Sequence, residues 1–188
     1  MASAGVVPSG WEPVPVDAMA PRLRPITPAD HNALRGLYQQ AVFSQAPGLY
    51  SEAQVQAWAA VAVLPGVLDG ALAAGEGLLI EGDGDVEAFA LLHPPHRLAL
   101  LYCRGDRNRR GHGARLVRAL EALALERGQT HLVTEASLIS RPLLERLGWH
   151  WVALERLTIA GVPFERHRLR RQLRRDGLAD GPTASPPG

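Results

Sequence analysis

The sequence contains no lysine, a single cysteine and few aromatic residues. All 20 basic residues are arginine, and aromatic residues make up 5% of the 188 residues. The lone cysteine, Cys103, excludes an intrachain disulfide and fits a reducing compartment. The formal net charge is only +1, which argues against a protein that is basic over its whole surface. Basic character must therefore be local, and arginine suits planar, bidentate contacts with phosphate.

Long apolar runs are also missing. No stretch reaches the roughly 18–20 uninterrupted apolar residues of a membrane span, and the N-terminus lacks the basic start and apolar core of a secretory signal. We therefore expect a cytoplasmic protein with no membrane partner. The length suits one domain, predicted at 21–173. Residues 1–20, where Met19 is a second candidate start, are predicted to be a flexible leader, and 174–188 a flexible tail.

Hydrophobic periodicity predicts strands and helices in alternating groups. Helices are expected after the capping residues Thr27, Ser51 and Ser140, and another from Ala114 to near Gly128. Strands are expected at 22–26, 77–81, 86–93, 97–103, 131–135, 149–159 and 162–169. The order β-α-α-β-β-β-α-β-α-β-β predicts a single-domain α/β (α+β) fold, with a mixed sheet flanked by helices.

A turn rich in arginine and glycine joins the predicted strand 97–103 to the helix that follows it. Gly111 and Gly113 allow a ligand to approach the backbone closely, because they carry no Cβ. The start of the helix presents unpaired N–H groups and the positive end of its dipole. Seven arginines and one acid, Asp106, lie between residues 97 and 118. The segment is therefore predicted to bind phosphate groups.

Two well-known glycine loops do not fit this turn. A dinucleotide-binding fingerprint needs a small residue at the place of Leu116. A Walker loop needs a lysine, which the chain lacks. The remaining pattern is a strand, the turn (Gln/Arg)-x-x-Gly-x-(Gly/Ala) and a helix. Residues 108–113 fill it, with Asn108 at the usual Gln/Arg place.

Three further segments accompany the turn in the same order along the chain: 48–54 with Trp58, 135–137, and 141–149. With these segments the chain resembles the GNAT superfamily of N-acetyltransferases, and more narrowly its YafP-like bacterial branch. The resemblance covers residues 21–173. It implies acetyl-CoA as co-substrate, an amine as acceptor, and no metal.

The resemblance also implies which residues hold acetyl-CoA. Backbone N–H groups of 109–114 would bind the diphosphate, and the backbone of 101–103 would pair with the pantetheine arm. An N–H near Cys103 would stabilise the oxyanion that develops on the thioester. Ser137 takes the place of a frequent asparagine that contacts the cofactor. The expected cofactor-binding residues are Leu101, Tyr102, Cys103, Asn108, Arg109, Arg110, Gly111, His112, Gly113, Ala114 and Ser137.

The residues expected to do the chemistry depart from the family pattern. Leu144 stands where the family often has a tyrosine general acid, and Ala99 where it often has an acidic residue. Glu135 is the candidate general base or substrate anchor, and the alternative is a helix-capping or surface acid. Tyr102 is the candidate replacement acid, and the alternative is a tyrosine packed on its strand.

Other chemistry-bearing residues have plainer interpretations. Cys103 is a candidate acyl acceptor, but a lone strand cysteine is usually buried filler. His93 and His96 bracket a Pro-Pro turn with no clustered third ligand, so we predict no zinc site. The arginines in 166–175 are interpreted as a solvated strand end and tail, because they lack interleaved aromatic residues for stacking. No nucleic-acid partner is predicted.

Two functions from different classes remain at this point. The first is an N-acetyltransferase that moves acetyl from acetyl-CoA to an amine of a small molecule or peptide. The second is a non-catalytic acyl-CoA-binding sensor or interaction protein with a GNAT fold, favoured by Ala99 and Leu144. A homodimer is compatible with both. Self-acetylation of a lysine side chain is excluded, since there is none.

Overall fold

The computed structural model describes residues 20–174, which form seven strands and five α-helices. The predicted leader and tail lie almost wholly outside the described residues. The strands are β1 (Arg22–Pro25), β2 (Glu76–Gly82), β3 (Asp85–Leu92), β4 (Leu98–Cys103), β5 (His131–Ala136), β6 (His150–Ile159) and β7 (Val162–Gln172). The helices are α1 (His31–Gln45), α2 (Glu52–Ala60), α3 (Asp69–Ala74), α4 (His112–Glu126) and α5 (Arg141–Arg146).

The strands form two antiparallel sheets, in the orders β1-β2-β3-β4 and β5-β7-β6. The sheets meet where β4 and β5 run parallel, at a bridge between Arg97 and Val133. One more contact follows, from the Thr134 hydroxyl to the Leu98 carbonyl oxygen at 2.8 Å. Beyond it, no pairing between β4 and β5 occurs in the described residues. The two strands therefore separate and leave a cleft at their carboxyl ends.

Two apolar cores pack on opposite faces of the first sheet. Helices α1, α2 and α3 cover one face, where Leu34, Leu79 and Phe89 are buried. Helix α4 covers the other face, and this second core also contains residues of the second sheet: Leu116 of α4 and Leu132 of β5 are both buried in it. From Leu100 to Cys103, successive residues of β4 pack alternately in the two cores, since side chains alternate along a strand. The single-domain α+β fold with helices flanking the sheets is thus as predicted.

Two details of the sequence prediction are wrong. Helix α3 was missed, because it has only six residues and follows a stretch broken by glycine and proline. Its buried residue Leu72 packs in the first core and stabilises the helix. Strand β7 does not end at residue 169 but continues to Gln172, which pairs with His131 of β5. Arg170 and Arg171 therefore lie within the sheet and not in a tail that follows it. Residue 175 lies outside the described residues.

Candidate acyl-CoA site

A cavity of about 540 Å³ occupies the cleft between β4 and β5. Four parts of the chain line it: the end of β4, the glycine turn, the segment from β5 to α5, and the ends of α1 and α2. Every predicted cofactor-binding residue lines the cavity except Arg110, which is exposed beside it. The predicted catalytic residues Glu135 and Tyr102 line it as well. The fold therefore brings segments more than 90 residues apart into one site.

The glycine turn takes its shape from two residues in the left-handed region of the backbone. Gly111 caps α4 with a φ of 84°, and Arg109 has a φ of 62°. Gly113 is required for a different reason, because a Cβ there would lie 2.8 Å from the Leu143 side chain. The first N–H groups of α4 have no partner in a preceding helical turn. The turn thus presents N–H donors and a helix dipole to the cavity.

A chain of side-chain amides ties the turn to β4, and sequence reasoning missed its central member. Gln45, at the end of α1, donates to the Cys103 carbonyl oxygen at 2.7 Å and accepts from the Asn108 side chain at 2.9 Å. The Asn108 side-chain oxygen in turn accepts from the Arg109 N–H at 2.9 Å. The Arg109 N–H is therefore already used. A diphosphate would be bound by the N–H groups from residue 110 onward.

The backbone of β4 is half free at the cleft. Arg104 N–H donates to the Glu87 carbonyl oxygen of β3 at 2.9 Å. Backbone hydrogen bonding alternates along an antiparallel pair. The N–H and C=O groups of Tyr102 therefore point to its partner Phe89 on β3, while those of Leu101 and Cys103 point away from β3. The bond from Gln45 to the Cys103 carbonyl agrees with this pattern. Three backbone groups of β4, the Leu101 N–H and C=O and the Cys103 N–H, are therefore directed to where an extended ligand would lie.

The arginines near the turn are less available than their number suggests. Three of the seven form ion pairs with acids: Arg97 with Glu135, Arg104 with Asp85 and Asp106, and Arg107 with Asp83, Glu87 and Asp106. Arg115 binds the Pro21 carbonyl oxygen. Within residues 20–174, no ion pair is formed by Arg109, Arg110 or Arg118, and Arg118 lies farther along α4, away from the cavity. The guanidinium groups of Arg109 and Arg110, in the turn itself, remain for a phosphate.

Glu135 is held by an arginine. Arg97 Nε and Nη2 lie 2.7 and 2.6 Å from Glu135 Oε2, and the Glu135 side chain is only 12% exposed. No hydrogen bond or ion pair within the described residues involves the second oxygen, Oε1. Ser137, two residues on, exchanges hydrogen bonds with Ser140 at 3.1 Å and so closes the turn into α5. Glu135 is thus a fixed carboxylate in the cavity wall, with one oxygen left to accept a proton.

Tyr102 belongs to an aromatic cluster on the α1–α2 side of β4. Its hydroxyl accepts from Trp58 Nε1 at 3.1 Å, and its ring lies 4.2 Å from that of Tyr38 and 5.7 Å from that of Phe89. Burial raises the pKa of Tyr102 well above its usual value. The phenol keeps its proton at neutral pH and can donate it. Leu144 is fully buried in the second core, which agrees with its having no chemical role.

The remaining candidates make local contacts in this fold. Burial raises the pKa of the Cys103 thiol to about 11, so the nucleophilic thiolate is scarce at neutral pH. His93 and His96 have no third ligand nearby, and the described residues contain no cluster of three metal-ligating side chains. Arg166 pairs with Glu155, and Arg171 binds the Gly148 carbonyl oxygen.

In the described part of the chain no helix is long and apolar enough to cross a membrane.

Comparison with known proteins agrees with this geometry. The model of the acetyltransferase (GNAT) family matches residues 36–149, which is more than half of the chain. The chain belongs to this family. No match was found among curated proteins. Among solved structures, a GCN5-related N-acetyltransferase from Rhodopseudomonas palustris is 27% identical with a TM-score of 0.77, over 81% of this chain and 96% of that one.

Two more distant GNAT-like structures were solved with their cofactors. The PaiA N-acetyltransferase of Thermoplasma acidophilum, in complex with coenzyme A, is 13% identical with a TM-score of 0.61; 82% of this chain and 99% of that one are covered. YncA of Salmonella typhimurium, with acetyl-CoA, is 17% identical with a TM-score of 0.57; the coverages are 86% and 98%. At these identities they show the shared fold.

Proposed function

We propose that this GNAT protein is an acetyl-CoA-dependent N-acetyltransferase whose acceptor is an amine of a small molecule or peptide. The observation that carries the proposal is the presence of two groups of backbone donors at the cleft. One group is on β4, at Leu101 and Cys103, and the other begins α4, whereas the N–H groups of residues 104, 105 and 107–109 between them are bonded within the protein. Two such groups fit an extended thioester that ends in a diphosphate, and two structural neighbours hold CoA or acetyl-CoA.

The residues of the site have complementary roles in this proposal. The N–H groups after Arg109, with the guanidinium groups of Arg109 and Arg110, bind the diphosphate. The Cys103 N–H stabilises the negative charge that develops on the thioester oxygen during attack. No step needs a metal. Membership of the YafP-like branch, a cytoplasmic location and a homodimer remain predictions that go with this function.

The proton transfers fall to Glu135 and Tyr102. The amine nitrogen attacks the thioester carbon, and Glu135 Oε1 accepts the amine proton directly or through a water. The carbon–sulfur bond then breaks, and the leaving thiolate takes a proton from the Tyr102 hydroxyl, which is protonated at neutral pH. Arg97 fixes the Glu135 carboxylate in place throughout.

A second function is supported by the same contacts. Glu135 is paired with Arg97, and the Tyr102 hydroxyl is bound by Trp58, so both groups already have structural partners. This favours a non-catalytic acyl-CoA sensor. The two functions separate in one experiment that combines acetyl-CoA calorimetry with free-CoA release from an amine library. Turnover of any amine supports the transferase; binding without turnover supports the sensor; no binding contradicts both.

A further inference from the structure

A buried carboxylate lies beneath the glycine turn, and the proposed chemistry does not use it. Glu87 of β3 is 2% exposed, whereas ionised side chains are rarely buried without a partner. Its strand continues into the apolar run of residues 88–92, so nothing in the local sequence pattern calls for an acid there. Burying a carboxylate is costly unless charges or hydrogen bonds compensate it. The compensating groups are therefore informative.

Those groups stand at the two ends of the turn. His112 Nε2, at the first residue of α4, lies 2.8 Å from Glu87 Oε2 and is itself only 7% exposed. Arg107 Nε lies 3.3 Å from Glu87 Oε1. The atoms are close but not aligned as hydrogen bonds, so the guanidinium group of Arg107 attracts the carboxylate electrostatically and His112 packs against it. Between these two anchors lie the four residues 108–111 of the motif, which we call the phosphate loop.

The phosphate loop needs such an anchor because its backbone is strained. Arg109 adopts a left-handed conformation, which for residues with a Cβ persists only when the surroundings impose it. Glu87 is fixed from its own side as well, since its carbonyl oxygen binds the Arg104 N–H. Gly82 packs against it so closely that a Cβ there would lie 2.8 Å from Glu87 Oε1. The carboxylate thus joins β2, β3 and both ends of the loop.

We propose that Glu87 is the positioning residue of the phosphate loop, holding Arg107 and His112 so that the loop N–H groups are set for a diphosphate. This inference rests on the proposed function, because it assumes that the loop binds CoA. The proposal predicts the direction in which the CoA affinity changes when Glu87 is replaced. A carboxylate near a phosphate site repels the ligand, so removal of its charge alone would tighten CoA binding. Loss of positioning would weaken CoA binding instead.

Calorimetry with CoA measures the direction of this change in affinity. Glu87→Gln removes the charge and keeps the shape, while Glu87→Asp keeps the charge and shortens the reach. Both should raise the Kd for CoA about tenfold, equivalent to about 1.4 kcal/mol. The affinity for pantetheine, which lacks the diphosphate, should stay the same. Asp85→Asn is the matched control, since this exposed acid of the same strand pairs with Arg104 and forms no ion pair with Arg107 or His112; it should leave the Kd unchanged or slightly lower.

A variant that changes no charge supplies an independent test, also if the Glu87 variants fold poorly. Gly82→Ala should displace the carboxylate, the mobile end of a side chain, and weaken CoA binding in the same way. Gly36→Ala is its control, because a Cβ there meets nothing within 4 Å. Tighter or unchanged CoA binding, or an equal loss for pantetheine, would overturn the inference alone. Absence of CoA binding by the wild type would contradict the proposed function, and the inference with it.

Discussion

Replacing Glu135 by glutamine tests whether its ion-paired carboxylate is the general base. The amide keeps the size of the side chain and can accept a hydrogen bond from Arg97, but it cannot take the amine proton. General-base loss typically costs about 10²–10⁴ in kcat, which is about 3–5 kcal/mol in the activation free energy. The expected result is a fall of kcat in that range with acetyl-CoA affinity nearly intact, measured by free-CoA release and calorimetry.

The control for Glu135→Gln is Glu155→Gln, because the chain offers a second glutamate–arginine pair in the same sheet. Glu155 pairs with Arg166 at 2.7 Å, as Glu135 pairs with Arg97 at 2.6 Å, but it does not line the cavity. Each substitution should lower the free energy of unfolding by at most about 1 kcal/mol, the usual value of a partly exposed pair. Only Glu135→Gln should slow turnover. Equal rates for both variants would refute the catalytic assignment while leaving the fold and the cofactor site intact.

Three further predictions concern the turn, the thiol and an ion pair outside the site. Gly111→Glu should abolish CoA binding in calorimetry, because it puts a side chain and a negative charge at a left-handed position facing the diphosphate; unchanged affinity would contradict the site. Cys103 should react with iodoacetamide at pH 8 on the order of a hundredfold more slowly than a free cysteine, since burial raises its pKa to about 11; rapid labelling would show an exposed thiolate. Arg24 holds the pKa of Asp30 well below its usual range, so the ionised carboxylate contributes stability above the unfolded-state pKa of 3.8, and this stability is lost as the pH falls. Asp30→Asn should lower the free energy of unfolding in urea by about 1–2 kcal/mol at pH 7, because water screens part of the pair's effect. An equal cost of the substitution at pH 7 and at pH 3 would refute this.

The binding half of the site follows from the sequence because it depends on the backbone. Gly111 and Gly113 fix the turn, and the alternation along 97–103 fixes which β4 groups face the cleft. Tyr102 enters the first core, and Leu101 and Cys103 enter the second, as the alternation of side chains along a strand requires. These features are local, and a short motif carries all the information they need.

Side-chain pairing over long sequence distances could not be predicted in the same way. Gln45 meets Asn108 across 63 residues, and Glu135 meets Arg97 across 38. No periodicity connects such positions, because each contact depends on how α1, β4 and β5 pack. Glu87 was missed for a related reason. In the sequence it is one acid beside a hairpin, and only the fold places it under the phosphate loop.

The charge of the site shows how far sequence counting can mislead. Along the chain, 97–118 holds seven arginines against one acid, which suggests a strong positive field. In the fold, the β2–β3 hairpin brings Asp83, Asp85 and Glu87 against Arg104 and Arg107, so much of that charge is neutralised before any ligand arrives. If the protein binds CoA as proposed, oriented N–H groups then contribute more than the arginine count suggests, together with the guanidinium groups of Arg109 and Arg110. Such a site would select by shape and donor geometry, and this is the reason for testing the position of the phosphate loop, through Glu87 beneath it, before the number of arginines around it.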